Sequence, residues 1–374
     1  MDGVFTGPLQ VKRIIISLFL IISLITFAFG MWPKGYPFYN QVTICSKPPG
    51  IKFGMYGVAF SKAFNFYDFS SDGSFTLEVA FKAAPVKQAN FKNILTFYAN
   101  DSKNQLVLGQ WKSWIIVMNG NDYSHSRHTP RLSFRLENGN KILFLTLVSS
   151  KKGVSLFING RLKRHSSNFQ ITFPEGEGRL IFANNAYDTR FWNGSIHGIA
   201  LYPHPLDSAN IQNHFLLWKD KQSFDPFLKE KPMLLYTFEK IKKDSHILKD
   251  KGYGKLDLVI PETIPVFQKG FKIFRESFDI KDIVINILGF IPLGLITPIF
   301  FYVFLGFTKK QAIVAGFIYC VFVSLIIEFS QLWLPSRTSD VLDIICNSMG
   351  SIIGIICCAV LQTHLKEFDS FLKN

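Results

Sequence analysis

Seven polar residues of one chain segment stand in strongly apolar surroundings: Asn286, Glu328, Gln331, Arg337, Asp340, Asp343 and Asn347. Carboxylates held this way can act as a general base or grip a cation, and a guanidinium pairs with phosphate. Asp340, Asp343 and Asn347 are spaced i, i+3, i+7, so they share one face of a helix. Gly350 and Gly354 continue that face, and a Gly-x-x-x-Gly pair lets membrane helices approach closely. Ionisable groups in membrane segments are costly and face a partner, a cavity or a substrate. The seven side chains therefore read as a ligand-binding cluster. The competing reading is mutual satisfaction, with Arg337 paired to Asp340 and Glu328 acting as interhelical glue. No Ser/His or Cys/His nucleophile pair accompanies the cluster, so no catalytic residue is assigned and no particular reaction follows.

These residues need membrane helices to position them. Apolar runs cover about 282–304, 312–333 and 341–361, each near the ~20 residues that a span requires. A further run, Ile14–Phe29, follows Lys12 and Arg13. It is short for a span, and a cleaved signal peptide with Ala28 and Gly30 before the cut is the rival reading; an uncleaved first helix is expected. Lys309, Lys310 and Lys366 join Lys12 and Arg13 as cytoplasmic markers. Both termini are then cytoplasmic, with 1–30 holding the N-terminus and first helix and 363–374 a tail. The connection Pro335–Ser339 and the polar cluster lie toward the external side. Lys269, Lys272, Arg275 and Lys281 also fall outside, but charges on long translocated domains weigh little. Pro292, inside the second run, is placed to kink it.

The chain has 374 residues and a formal net charge of +14, which suits anionic lipid headgroups or acidic wall polymers. No recognition motif supports nucleic acid as a partner. Of five cysteines, only Cys45 falls outside the apolar helices, so no disulfide framework is expected. His125 and His128 lack further ligands and read as surface histidines. Asn184, Asn185 and Asp188 offer oxygen ligands to a hard cation but suit a turn better. No metal or cofactor is expected.

The middle of the chain, about 45–265, alternates polar and apolar residues. Ser74–Lys82 reads as a half-buried strand, with Phe75, Leu77, Val79 and Phe81 on one face and Thr76, Glu78, Ala80 and Lys82 on the other. Lys141–Ser149, Val154–Ile158, Leu180–Ala183 and Ser195–Tyr202 continue the series, and Asn159-Gly160 signals a tight hairpin. Short strands with repeated turn signals imply a β-sandwich. Trp111, Trp114 and Trp192 are candidates for stacking on sugar rings, against the commoner use of Trp in a core.

Two resemblances add to this reading. The segments Ser74–Val79, Val154–Gly160 and Gly194–Tyr202, with a helix over Pro205–Phe215, resemble the concanavalin A-like, laminin-G-type sandwiches. Leu234–Phe238 and Leu256–Leu258 look like another strand pair of that sandwich. Asn286, Phe290–Gly294, Glu328–Gln331, Arg337–Asp340 and Asp343-x-x-x-Asn347-x-x-Gly350 resemble the VanZ-like membrane family over about 280–362. That family, named for a glycopeptide resistance factor, has a helix before this unit, which the resemblance places at 13–30.

The expected architecture is a multidomain membrane protein. An all-α four-helix transmembrane unit carries an external, all-β concanavalin A-like jelly-roll sandwich. The expected function is that of a cell-envelope protein. Its sandwich binds a glycan or envelope polymer, and its polar cluster handles or senses an anionic envelope lipid or lipid-linked wall precursor. The alternatives are a membrane enzyme acting on a lipid-linked phosphate and a purely structural surface anchor.

Overall fold

The computed structural model describes residues 8–32, 38–68, 73–84, 90–99, 104–136, 141–186, 190–239, 241–242, 245–267, 280–334, 337 and 339–364. Its α-helices are α1 (Pro8–Met31), α2 (Ser208–Lys221), α3 (Ile280–Leu305), α4 (Lys309–Gln331) and α5 (Val341–His364). The chain divides into two compact units, one of Pro37–Gln268 and one of Met1–Tyr36 with Lys269–Asn374.

The first unit is an antiparallel sandwich. Among the described residues its first sheet runs Val42–Ser46, Pro49–Phe53, Gly194–Tyr202, Phe75–Ala83, Leu143–Ser150, Gly153–Ile158, Arg161–Ser166, with Leu234–Thr237 also paired to Gly194–Tyr202. The second runs Ile247–Leu248, Leu258–Val259, Ala59–Ser61, Glu177–Phe182, Lys92–Ala99, Leu106–Trp111, Trp114–Asn119, Arg131–Arg135, with Phe64–Asn65 on Glu177–Phe182. Side chains alternate along each strand, so Leu77, Val79 and Phe81 of one sheet meet Leu95, Phe97, Leu108 and Val117 of the other in one core. Burying each such side chain contributes about 1.5–3 kcal/mol. Asn159 and Gly160 turn the hairpin with φ of 51° and 73°, the left-handed values that two-residue hairpin turns require.

Two expectations are corrected here. Phe75–Ala83 is not half-solvated: Thr76, Glu78 and Ala80 are as deeply buried as the core face. Helix α2 and the chain after it cover that outer face, adding a second apolar layer of Phe144, Ala200, Ile211, Trp218, Phe224 and Phe227. Polar alternation misled because a buried partner satisfies Glu78. Secondly, Leu234–Thr237 and Leu258–Val259 are not a strand pair; each joins a different sheet. The buried Asp250 links their neighbourhoods instead, with Oδ1 accepting from the Leu235 N–H at 2.8 Å and Oδ2 from the Leu256 N–H at 2.9 Å.

The second unit contains α1, α3, α4 and α5, each long and apolar enough to cross a membrane. Leu24, Ile285, Ile318, Phe322 and Ile356 turn outward from it, the surface that lipid requires. Helix α3 runs on through Pro292 and Pro298. Helix α4 opens with a capping box of Thr308 and Gln311, which satisfies backbone donors on both sides of its first turn. Helix α5 meets α3 through glycines: a Cβ at Gly350 would lie 2.1 Å from the Ile287 carbonyl oxygen, and one at Gly354 2.1 Å from that of Ile291. Helix α1 joins through Phe19, stacked on Phe300 at 4.0 Å, and through the Tyr319 hydroxyl, which donates to Ser23 Oγ at 3.2 Å.

Candidate functional site

The polar groups of the membrane unit gather where α4 ends, α5 begins and α1 finishes. Glu328, in the last turn of α4, is buried, and its Oε2 accepts from the Asp340 N–H at 3.0 Å. Its backbone carbonyl accepts from Ser339 Oγ at 2.6 Å. Asp340 is fully buried and precedes the first residue of α5; its Oδ1 accepts from the Leu342 N–H at 2.9 Å, so it caps the helix. One turn before Glu328 on α4 and two turns after Asp340 on α5, Asn347 Nδ2 donates to Ser324 Oγ at 2.9 Å. Ser351 Oγ donates to the Asn347 carbonyl at 2.8 Å, while Asn347 Oδ1 is buried and has no hydrogen-bond partner among the described residues.

Gln331 and Arg337 close the end of α1. Gln331 Nε2 donates to the Gly30 carbonyl at 2.8 Å. Arg337 Nε donates to the Trp32 carbonyl at 3.1 Å, and its Nη2 to those of Gly30 and Phe29 at 3.1 and 3.2 Å. The last carbonyls of a helix have no intrahelical partner and carry partial negative charge, so the guanidinium is suited to them. The competing reading pairs Arg337 with Asp340; among the described residues no ion pair joins those two. Among the described residues Arg337 Nη1 makes no hydrogen bond. Glu328 lies within Coulombic reach of Arg337, Asp340 and Asp343, and Arg337 within reach of Glu328, Asp282 and Asp343.

The structure thus brings Glu328, Arg337, Asp340 and Asp343 together, with Gln331 of α4 joining Arg337 at the carbonyls that end α1 and Asn347 one turn beyond Asp343. Asn286 is half-buried on α3, and among the described residues no hydrogen bond ties it to the others. Ser324, Ser339 and Ser351 complete the network; Ser324 and Ser351 are absent from the sequence reading, which places Ser339 only in the connecting loop. The legible signal was spacing, since Ser324 precedes Glu328 by one helical turn and Ser351 follows Asn347 by one. No group of three or more His, Cys, Asp or Glu side chains suited to a metal occurs among the described residues.

In the sandwich the candidate tryptophans separate. Trp192 is fully buried, and its Nε1 donates to Gln110 Oε1 at 2.7 Å. It is a core residue and cannot stack on a sugar, which corrects that assignment. Trp111 and Trp114 are half-buried and face each other across a hairpin. Asn184 and Asn185 are buried and used internally: the Asn184 carboxamide oxygen accepts from the Arg190 N–H at 2.9 Å, and Asn185 Nδ2 donates to the Tyr123 hydroxyl at 3.1 Å. Asp188 lies outside the described residues.

An apolar four-helix unit with a buried carboxylate cluster, together with a two-sheet antiparallel sandwich, defines a membrane protein with a jelly-roll module. Residues 228–362 match the VanZ/LLP1 family, and residues 61–212 match the concanavalin A-like lectin/glucanases superfamily. The chain therefore combines a VanZ-like membrane unit with a concanavalin A-like, laminin-G-type sandwich. Among solved structures it is similar to a botulinum neurotoxin serotype D/C binding domain, with 17% identity, 48% of this chain and 46% of that chain covered, and a TM-score of 0.39. It is also similar to a carbohydrate-binding protein, described as putative, from Bacteroides ovatus, with 13% identity, 60% and 59% covered, and a TM-score of 0.40. The match spans less than two thirds of either structure. No protein of curated function matches the chain.

Proposed function

We propose that the protein is a cell-envelope membrane protein whose sandwich binds a glycan or envelope polymer and whose membrane cluster handles or senses an anionic lipid or lipid-linked wall precursor. The observation that carries this reading is the burial of Glu328 and Asp340 beside Arg337, at the end of helices long enough to span a membrane. Burying such groups is costly, and a membrane protein retains them where they bind something. Arg337 keeps Nη1 for a phosphate oxygen, and Asp343 accepts from headgroup hydroxyls. Positive residues at Lys12, Arg13, Lys309 and Lys310 favour cytoplasmic termini, which turns this end of the helices outward.

The test uses the full chain in nanodiscs and counts phosphatidylglycerol retained against phosphatidylcholine by native mass spectrometry. Asp343→Asn is expected to lower phosphatidylglycerol retention while thermal stability changes little. Equal retention in wild type and variant, or a loss of retention that tracks a loss of stability, would reject the site.

A further inference from the structure

The outer faces of the two sheets are finished differently. Helix α2 covers the first. Among the described residues no helix lies over the second, and its strand register lines up a row of three side chains there. Trp111 stands opposite Trp114, and Trp114 opposite Arg135, so all three share the face. The next rows place Gly109 opposite Ile116, and Val107 opposite Met118, which stands opposite Arg131. Phe91 lies on Gly109, where a Cβ would sit 2.1 Å from its ring. Tyr123 packs on Phe91 at 5.0 Å between centroids. Phe91, Val107, Ile116 and Met118 form the buried floor of an aromatic strip walled by Trp111, Trp114 and Tyr123.

Cations rim this strip. The Arg190 guanidinium lies 4.0 Å above the Tyr123 ring, and Lys112 Nζ is 4.9 Å from the centre of Trp111. Over residues 104–136 the only acidic residue is Asp122, and it is buried. Its carboxylate accepts from the Thr129 hydroxyl and N–H and from the Arg127 N–H, and Arg131 lies 3.5 Å away. That clamp fixes the loop carrying Tyr123 and pairs the one carboxylate of residues 104–136 internally, away from Lys112 and Arg135. Flat rings with a cationic rim match a ligand that has apolar ring faces and acidic substituents together.

We propose that this face binds an acidic glycan, with pyranose rings stacked on Trp111 and Trp114 and their carboxylate or phosphate groups met by Lys112, Arg135 and Arg190. The proposal rests on the reading of the sandwich as a glycan-binding module and names the chemical class it takes. Lattices of ring and charge explain the choice over a neutral sugar, for which the cations have no use, and over a polyanion without rings, for which the tryptophans have none.

The experiment uses the full chain in zwitterionic nanodiscs. Four probes are titrated by calorimetry at two salt concentrations: tetragalacturonate, a phosphorylated oligomannose, cellotetraose and poly(glycerol phosphate). Binding of either acidic oligosaccharide, weaker at high salt and stronger than that of cellotetraose or poly(glycerol phosphate), supports the proposal and shows which acid group is preferred. Trp114→Ala is expected to weaken that binding about tenfold. Arg135→Gln is expected to weaken it and flatten its salt dependence, while the charge-matched Lys151→Gln, in a turn between two strands of the first sheet, leaves it unchanged. Salt-independent binding with cellotetraose equal to the acidic probes would overturn the acidic class and leave the glycan reading standing. Poly(glycerol phosphate) binding equally well, without loss in Trp114→Ala, would overturn the role of the rings. Failure of every sugar probe would overturn both this proposal and the glycan reading.

Discussion

The Nδ1 atom of His214 on α2 stands 2.8 Å from Oε2 of Glu78 in the middle of the first sheet, and both side chains are fully buried. On the other side of the imidazole, Nε2 lies 2.8 Å from Glu230 Oε1. The Thr146 hydroxyl donates to Glu78 Oε1 at 3.3 Å. One ring thus ties the middle of α2 both to the sheet and to Glu230 in the chain that follows the helix. Breaking such a pair by removing one partner leaves a buried charge uncompensated.

Stability of the sandwich is expected to fall as pH rises through the alkaline range. Burial alone would lower the His214 pKa, but the hydrogen bonds and charges of Glu78 and Glu230 outweigh it and lift the value to about 9. Burial also raises the Glu78 pKa. A folded pKa above the unfolded one gives stability that is full below the unfolded value, 6.5 for His214, and is lost as pH passes through about 9. Thermal unfolding followed by tryptophan fluorescence from pH 6 to 10 checks this. A midpoint that stays level or rises over that range would refute it.

His214→Ala is expected to destabilise the sandwich by about 3 to 5 kcal/mol at neutral pH and to remove the alkaline slope. Denaturant titration of wild type and variant measures the first, and repeating it at pH 9.5 measures the second. A cost below about 1 kcal/mol would place the pair among interactions of little net worth.

The contact of α5 with α3 depends on bare backbone. Gly354→Leu is expected to destabilise the membrane unit severely, because even a Cβ there falls 2.1 Å from the Ile291 carbonyl oxygen. Gly289→Leu, on α3, is the control, since a Cβ there meets nothing within 4 Å. Thermal aggregation in detergent should separate the two variants; similar midpoints would contradict the packing.

Arg337→Ala strips the donors from three carbonyls at the end of α1, a loss of about 1.5–3 kcal/mol for bonds to a charged group. Arg337→Lys should restore only part of it, since an ammonium cannot reproduce the fork. Detergent stability of the three proteins should rank wild type, Lys, Ala. An alanine variant as stable as wild type would show that the cap is dispensable.

The proposed outward orientation of this end of the helices is testable by labelling in a chain whose native cysteines are replaced. Ser339 is a poor reporter because it is buried and its hydroxyl is held by Glu328. Trp333 is exposed just after α4 and Lys310 is exposed in its first turn. Trp333→Cys is expected to react with an impermeant thiol reagent on intact cells, and Lys310→Cys only after permeabilisation. The reverse pattern would invert the membrane unit.

The sequence by itself determined the elements that are local or periodic. Apolar runs of spanning length, the alternation of Phe75, Leu77, Val79 and Phe81, and the Asn159-Gly160 turn each follow from a repeat or a backbone requirement that neighbouring residues express. The i, i+3, i+7 spacing of Asp340, Asp343 and Asn347 was legible for the same reason. Partnership across the fold was not. Glu78 looked solvent-facing because its partner His214 is 136 residues away. Arg337 had Asp340, three residues on, as its nearest local partner in the competing reading, and instead caps α1 about three hundred residues earlier in the chain, at Phe29, Gly30 and Trp32. Trp192 and Trp114 are the same residue type in similar polar-apolar surroundings, yet only sheet stacking sends one into the core and leaves the other on the face. Side-chain period fixes which residues share a face, but the burial of that face depends on what the rest of the chain lays over it.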